Sequence, residues 1–254
     1  MPQREEYIRN VFEIMRIKAQ FIPAILRAEL PPLQELLDNG IMGDIYLRKH
    51  LPNENYPNMD LRAFEANPKN TKYVNSKLKG VLALQLSYMQ IFEQFLQTGH
   101  SHCFIFEDDI LLQTPRQRKH TIHRLQEIFK ELPSDYNLLN LGRCLDDCKN
   151  NKNFSKNLVV NTTPVCTHAC GYSVQMAKYV LQNALPLQVQ CDILLKKQYI
   201  NNGFSARPAL FFQNHTIESS LMNYPTPECK PNAPKESKES KASKESNAPK
   251  SKKK

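Results

Sequence analysis

The chain has 254 residues, a hydrophobic content of 41% and a formal net charge of +9. This length is sufficient for one substantial core. No run of about 18 apolar residues occurs, so the sequence predicts no membrane span. The charged N-terminus, MPQREEYIRN, lacks the apolar segment of a secretory signal, and we therefore expect a cytoplasmic protein.

Most of the positive charge lies in a low-complexity C-terminal segment. Residues 230–254 contain nine Lys and three Glu, so +6 of the +9 belongs there and +3 remains in residues 1–229. A segment rich in Lys, Glu and Ser without aromatic side chains cannot bury enough surface to fold. The sequence predicts a globular domain over 1–229 and a disordered tail over 230–254. The domain shows no interleaved basic and aromatic residues, which argues against a specific nucleic-acid partner.

The seven cysteines are an odd number, which favours free thiols over a complete disulfide framework. Two pairs have a three-residue spacing, Cys144 with Cys148 and Cys166 with Cys170. These pairs leave a zinc site or one or two disulfides open as alternatives.

The first third of the chain mixes short helical patterns with loops. Residues 3–16 carry apolar side chains on one helical face. Residues 21–25 are predicted as a short edge strand because Pro23 cannot lie in a central one. We expect a helical turn over 33–37, closed by Asn39 and Gly40, and a brief strand over 44–47.

The clearest helix is predicted over 76–97, where apolar residues recur at helical spacing. Ser76 is its candidate N-cap and Gly99 its candidate stop. The stretch that follows, CFIFEDDILL, places an apolar run directly before Glu107, Asp108 and Asp109. Three consecutive acids repel one another at a buried strand end, which a divalent cation such as Mg²⁺ or Mn²⁺ would offset. An N-capping cluster or a solvated loop is the alternative.

Side chains alternate along an extended chain, so Glu107 and Asp109 are predicted on one side and Asp108 on the other. Further elements follow in an α/β pattern: a helix over 120–132, strands over 135–142, 158–160 and 165–173, and helices over 176–181 and 193–200. A basic loop over 143–157 separates two of the strands. Asp192 is predicted as the N-cap of the last helix.

Residues 79–112 closely resemble glycosyltransferase family 25, which includes lipopolysaccharide galactosyltransferases and the collagen galactosyltransferase. Family members carry a Gly-initiated helix with a Ser-His pair, then a hydrophobic strand ending in Glu-Asp-Asp. In this sequence Gly80 and Ser87 match that helix, Tyr88 occupies the usual position of the His, and the acidic run is unchanged. The resemblance extends over most of residues 3–215, although the family's first strand has no counterpart.

The resemblance and the α/β alternation imply a GT-A-like nucleotide-diphospho-sugar transferase fold, with a single twisted, mostly parallel sheet flanked by helices. The implied activity is a metal-dependent, inverting transfer of a sugar, galactose being the commonest in the family. The implied donor is a nucleotide sugar, most commonly a UDP-sugar, and the acceptor is a hydroxyl of a glycan or glycoprotein. A noncatalytic relative with an incomplete donor site is the alternative.

The resemblance also assigns roles to individual residues. Mn²⁺ or Mg²⁺ would be held by Glu107, Asp108 and Asp109. Asp192 is the candidate catalytic base, with Asp146 and Glu218 as the weaker candidates. The candidate donor- and acceptor-binding residues are Gly80, Ser87, Tyr88, Glu107, Gly142 and His168. Gly142 permits a close backbone approach, and His168 could equally be a structural core residue.

Overall fold

The computed structural model describes residues 2–52, 56–111, 115–142, 151–160, 166–196 and 202–213. Its helices are α1 (Pro2–Met15), α2 (Leu33–Asp38), α3 (Asp44–His50), α4 (Leu61–Ala66), α5 (Thr71–Tyr73), α6 (Gly80–Gln97), α7 (Pro115–Glu131), α8 (Val174–Asn183) and α9 (Cys191–Lys196). Two 3₁₀ turns cover Arg27–Glu29 and Pro68–Asn70, and a π-helical segment covers Val74–Lys79. No helix within the described ranges has the length and apolar character needed to cross a membrane.

The strands are β1 (His102–Phe106), β2 (Ile110–Leu111), β3 (Leu138–Asn140), β4 (Lys152–Asn153), β5 (Leu158–Val160), β6 (Ala169–Ser173), β7 (Gly203–Ala206) and β8 (Phe212–Gln213). Six of them form one sheet in the order β1-β6-β3-β7-β5-β4, and β2 pairs with β8 in a second, two-stranded sheet. The mixed α/β architecture is confirmed and is consistent with the GT-A-like fold.

The predicted strand directions are wrong. In the six-stranded sheet only β3 and β7 pair in parallel, with Leu138 opposite Gly203. The other four pairs are antiparallel, among them β1 with β6, in which His102 lies opposite Ser173. Among these pairs β4 and β5 are consecutive along the chain, joined by the short kind of connection that antiparallel neighbours permit.

Helices cover both faces of the six-stranded sheet. One face packs against α1 and α7, with Leu139, Phe204 and Phe211 in the shared core. The other packs against α6, α8 and α9 through Leu138 and Tyr172. Adjacent strand residues Leu138 and Leu139 thus face opposite layers, as the two-residue side-chain period of a strand requires. Together these faces form a three-layer α/β/α body.

A third hydrophobic core lies among the helices that precede β1. Buried side chains of α2, α3, α4 and the π-helical segment form it, together with the first residues of α6 and Leu187. A parallel bridge between Met42 and Leu187 joins this helical lobe to the segment before α9. At that junction a Cβ on Gly43 would lie 2.5 Å from the Leu187 carbonyl oxygen, so only glycine fits.

Three local predictions are corrected. Residues 44–47 are helical, because Asp44 lies in the first turn of α3 and pairs with Arg48 one turn later. Residues 21–25 form no strand in the described structure, and the Ile25 N–H donates instead to Ser87 Oγ. Ser76 does not cap α6, because the helical path runs unbroken from Thr71 and Ser76 donates to the Lys72 carbonyl.

The predicted helix stops are confirmed at two glycines with left-handed backbone conformations. Gly40 follows α2 with φ +66° and Gly99 follows α6 with φ +74°. Glycine adopts this region without the steric cost that other residues incur, so it ends helices readily.

Candidate active site

The acid trio, Glu107, Asp108 and Asp109, lies where β1 leaves the six-stranded sheet. The Glu107 N–H donates to the carbonyl of His168, the residue before β6, at 2.9 Å. The pairing of β1 with β6 therefore continues one residue past β1. Asp108 and Asp109 then make the turn into β2, which begins at Ile110. The trio is therefore fixed between two pairs of strands.

Glu107 is held by two hydroxyl groups. Its Oε1 accepts a hydrogen bond from Thr167 Oγ1 at 2.7 Å, and the Tyr88 hydroxyl lies 3.0 Å from the same oxygen. The Tyr88 hydroxyl lies equally close to the Thr167 carbonyl oxygen. Burial, reinforced by the nearby Asp109 carboxylate, raises the pKa of Glu107 to about 7.

Asp109 has one satisfied and one unsatisfied carboxylate oxygen. Its Oδ2 accepts from Gln213 Nε2 at 2.9 Å, whereas Oδ1 is buried and has no hydrogen-bond partner among the described residues. Burial raises the pKa of this carboxyl group, and the bond from Gln213 opposes the rise. A buried carboxylate oxygen without a partner is costly, so it indicates a position for a ligand.

Asp108 is directed away from the other two acids. Its Oδ1 forms an ion pair with Arg4 on α1 at 3.0 Å, and its side chain is 61% exposed. No group of three or more His, Cys, Asp or Glu side chains arranged to hold a metal ion occurs within the described ranges. The predicted three-ligand set is thus not assembled.

Glu107 and Asp109 nevertheless fit a hard divalent cation. Mg²⁺ is commonly held by one or two carboxylates, with water and phosphate oxygens completing its shell. The unpartnered Asp109 Oδ1 is an oxygen of the kind that such an ion prefers. A positive charge beside the two carboxylates would also favour their ionised forms and so oppose the rise in pKa that burial causes in each.

The segment 166–168 connects the trio with the rest of the site. The Cys166 N–H donates to the Asp192 carboxylate, and the Cys166 carbonyl accepts from Asn140 Nδ2 at 3.1 Å. The next residue, Thr167, binds Glu107. Cys166 has a φ of +72°, a left-handed conformation uncommon for a residue with a Cβ. Strained backbone of this kind is concentrated at functional sites.

Asp192 lies in the first turn of α9, and its Oδ1 accepts from the Ile193 N–H at 2.8 Å. Burial raises the pKa of its carboxyl group, and the backbone N–H groups of Ile193 and Cys166 oppose that rise. Asp192 is therefore inside the first turn and is not the N-cap that was predicted, and it contacts through Cys166 the same segment 166–168 that binds Glu107.

The other predicted residues have mainly packing contacts. The Ser87 hydroxyl donates to the Ala83 carbonyl and accepts from Ile25, so both of its roles are occupied within the protein. Gly80 begins α6 where the π-helical segment ends, about 12 Å along the helix from Tyr88.

Gly142 and His168 contact each other beneath the site. A Cβ on Gly142 would lie 2.3 Å from His168 Nε2 and 2.8 Å from the Phe211 carbonyl oxygen. The close approach predicted at Gly142 is thus to a buried side chain, and His168 is 1% exposed. Asp146 and Glu218, the weaker base candidates, lie outside the described residues.

Four contacting residues were not predicted as part of the site: Arg4, Asn140, Thr167 and Gln213. Each binds a trio member or the segment 166–168. Asn140 could have been recognised from the sequence as a candidate site residue, because an amide side chain in an otherwise apolar strand needs a buried hydrogen-bond partner. It is 1% exposed, and its Oδ1 accepts from the Gly142 N–H.

The expectation of free thiols holds for Cys103, Cys170 and Cys191 and is wrong for Cys166, which is disulfide-bonded. Burial raises the pKa of each free thiol, that of Cys103 and Cys170 to about 12. These three thiols stay protonated at neutral pH and are poor nucleophiles. The chemistry of the site therefore rests on carboxylates and hydroxyls.

A mixed α/β fold with half-buried carboxylates at a strand end is consistent with a GT-A-like glycosyltransferase. The chain belongs to glycosyltransferase family 25: the family model, described as glycosyltransferase family 25 (LPS biosynthesis protein), matches residues 1–195. The match includes α1, the acid trio and Asp192. Among curated proteins, no match to this chain was found.

Proposed function

We propose that this glycosyltransferase is metal-dependent and transfers a hexose from a nucleotide-sugar donor to an acceptor hydroxyl with inversion at the anomeric carbon. The observation that carries the proposal is the buried, unpartnered Oδ1 of Asp109 beside Glu107. A UDP-sugar is the donor class, and galactose is the sugar that the family resemblance favours. The acceptor is a glycan or glycoprotein.

Asp109 and Glu107 would hold the Mn²⁺ or Mg²⁺ ion. When bound, such an ion neutralises charge on the departing nucleoside diphosphate. Thr167 and Tyr88 keep Glu107 in one position by occupying Oε1, which leaves the rest of its carboxylate for binding. Asp108 contributes by fixing α1 against the site through Arg4.

Asp192 is the proposed base. In an inverting displacement the acceptor oxygen bonds to the anomeric carbon as the bond from that carbon to the phosphate oxygen breaks, and the hydroxyl proton passes to the base. The raised pKa of Asp192 brings it closer to the working pH, which favours proton acceptance. Its bonds to Ile193 and Cys166 orient the carboxylate for that task.

The test is a screen of donor hydrolysis over several nucleotide sugars, with Mn²⁺ and with EDTA, on the wild type and Asp109→Asn. We expect turnover that depends on Mn²⁺ in the wild type and a loss of at least tenfold in Asp109→Asn. Asp38→Asn, at an exposed position of the helical lobe, serves as the matched control. Equal turnover in the wild type and Asp109→Asn would overturn the proposal, and donor binding without turnover would favour the noncatalytic alternative.

A further inference from the structure

One contact of the site comes from a part of the chain beyond the family match. The match covers residues 1–195, whereas Gln213, which binds Asp109, lies on β8. This strand pairs antiparallel with β2, immediately after the acid trio, with Gln213 opposite Ile110. A segment outside the matched region therefore completes the surroundings of the proposed cation site.

The segment that carries Gln213 is anchored along its length. Arg124 on α7 is 9% exposed and donates to the carbonyl oxygens of Arg207 and Pro208 at 2.8 and 3.2 Å. The N–H groups of Leu210 and Phe211 both donate to the Leu141 carbonyl. Because backbone and side-chain bonds hold it from both sides, the segment places Gln213 in a defined position.

The bond from Gln213 distinguishes the two oxygens of Asp109. The amide Nε2 donates to Oδ2 at 2.9 Å, and Oδ1 is left buried without a partner in the part of the chain that the structure describes. A carboxylate rotates about its last bond unless one oxygen is fixed. An amide donor carries no charge, so it fixes the orientation without neutralising the carboxylate, as a lysine or arginine would.

We infer that Gln213 is a positioning residue, which fixes Asp109 so that Oδ1 faces the cation and the donor diphosphate. The inference rests on the proposed function, because it assigns Asp109 Oδ1 to that cation. Outer residues that orient a metal ligand typically change metal affinity by 10- to 100-fold when they are replaced.

Three variants test the inference by Mn²⁺-dependent binding of UDP, measured by calorimetry without turnover. Gln213→Leu removes the donor, and Gln213→Glu keeps the shape while placing an acceptor against Oδ2. We expect each to weaken UDP binding at least tenfold. Phe212→Leu, on the same strand with its side chain on the opposite face, is the control for strand pairing and should bind as the wild type does.

A double-mutant cycle separates positioning from general packing. In the Asp109→Asn background, Gln213→Leu should have no further effect on UDP binding. Unchanged binding in both Gln213 variants would overturn the inference and leave the proposed function intact, as would equal losses in Gln213→Leu and Phe212→Leu. If the wild type itself shows no Mn²⁺-dependent UDP binding, the proposed function fails and the inference with it.

Discussion

The Tyr88 hydroxyl lies 3.0 Å from Oε1 of Glu107, so the residue that stands in place of the family's usual histidine contacts the first acid of the trio. The same hydroxyl lies within hydrogen-bond distance of the Thr167 carbonyl. Tyr88 is 2% exposed, and burial raises the pKa of its hydroxyl far above the usual value. It is therefore a hydrogen-bond donor throughout the working pH range.

Tyr88→Phe should destabilise the protein by about 1–2 kcal/mol, because it removes a buried hydroxyl donor that lies between two acceptor oxygens. Chemical denaturation of the metal-free protein measures the free energy of unfolding. Tyr136→Phe is the matched control: Tyr136 is 6% exposed, and the hydrogen bond that it accepts from His102 Nε2 is to its backbone carbonyl, which the substitution keeps. Equal stability losses in the two variants would contradict a specific role for the Tyr88 hydroxyl.

Glu107→Gln should stabilise the metal-free protein at high pH. The folded chain raises the pKa of Glu107 from 4.5 to about 7, so the folded state binds its proton more tightly than the unfolded state does. The stability that this group contributes is complete below pH 4.5 and is lost as the pH rises through 7. Glutamine keeps an acceptor oxygen for Thr167 and carries no charge.

We expect the free energy of unfolding of Glu107→Gln to exceed that of the wild type at pH 8 by on the order of 2 kcal/mol, since partial exposure reduces the full effect. The two proteins should converge as the pH falls toward 4.5. Urea denaturation in EDTA at several pH values measures this difference. Glu93→Gln, at an exposed position of α6, is the control and should show no such trend. A pH-independent difference for Glu107→Gln would refute the prediction.

Local sequence patterns predicted the positions of helices and strands better than they predicted the directions in which strands pair. The apolar periodicity of α6 and the apolar run of β1 are properties of adjacent residues, and both elements form. Strand directions depend on connections across the whole chain, and there the prediction of a mostly parallel sheet is wrong. The strand predicted over 44–47 is a local prediction that is wrong, because the ion pair of Asp44 with Arg48 favours a helix.

The acid trio was predicted from sequence, but its surroundings were not. Thr167 is 60 residues from Glu107, and Gln213 is 104 residues from Asp109. Neither spacing leaves a periodic signal, so only the tertiary structure identifies these partners. The alternation of side chains along a strand correctly placed Asp108 away from Glu107 and Asp109. It could not identify Arg4 as the partner of Asp108, because the two residues are 104 positions apart.

Asp192→Asn should slow transfer strongly while leaving donor binding unchanged. The amide keeps an oxygen for the N–H groups of Ile193 and Cys166 but cannot accept a proton, so we expect the transfer rate to fall about 10²- to 10⁴-fold. Mn²⁺-dependent UDP affinity, measured in parallel, should stay within twofold of the wild type. A rate loss matched by an equal loss of UDP affinity would show that Asp192 acts in donor binding instead.

Lys79→Met should destabilise the helical lobe more than loss of a surface ion pair does. Lys79 is 8% exposed, its Nζ lies 2.6 Å from Glu65 Oε1, and it also donates to the Leu30 carbonyl. Removing the lysine leaves the Glu65 carboxylate, whose side chain is 21% exposed, without its charge partner, which costs about 2 kcal/mol. Lys130→Met is the control, because Lys130 pairs with Glu127 at the surface and such pairs contribute about 1 kcal/mol at most. Thermal and urea denaturation of both variants measure the difference. A stability loss for Lys79→Met no larger than that for Lys130→Met would contradict a structural role for the Lys79–Glu65 pair.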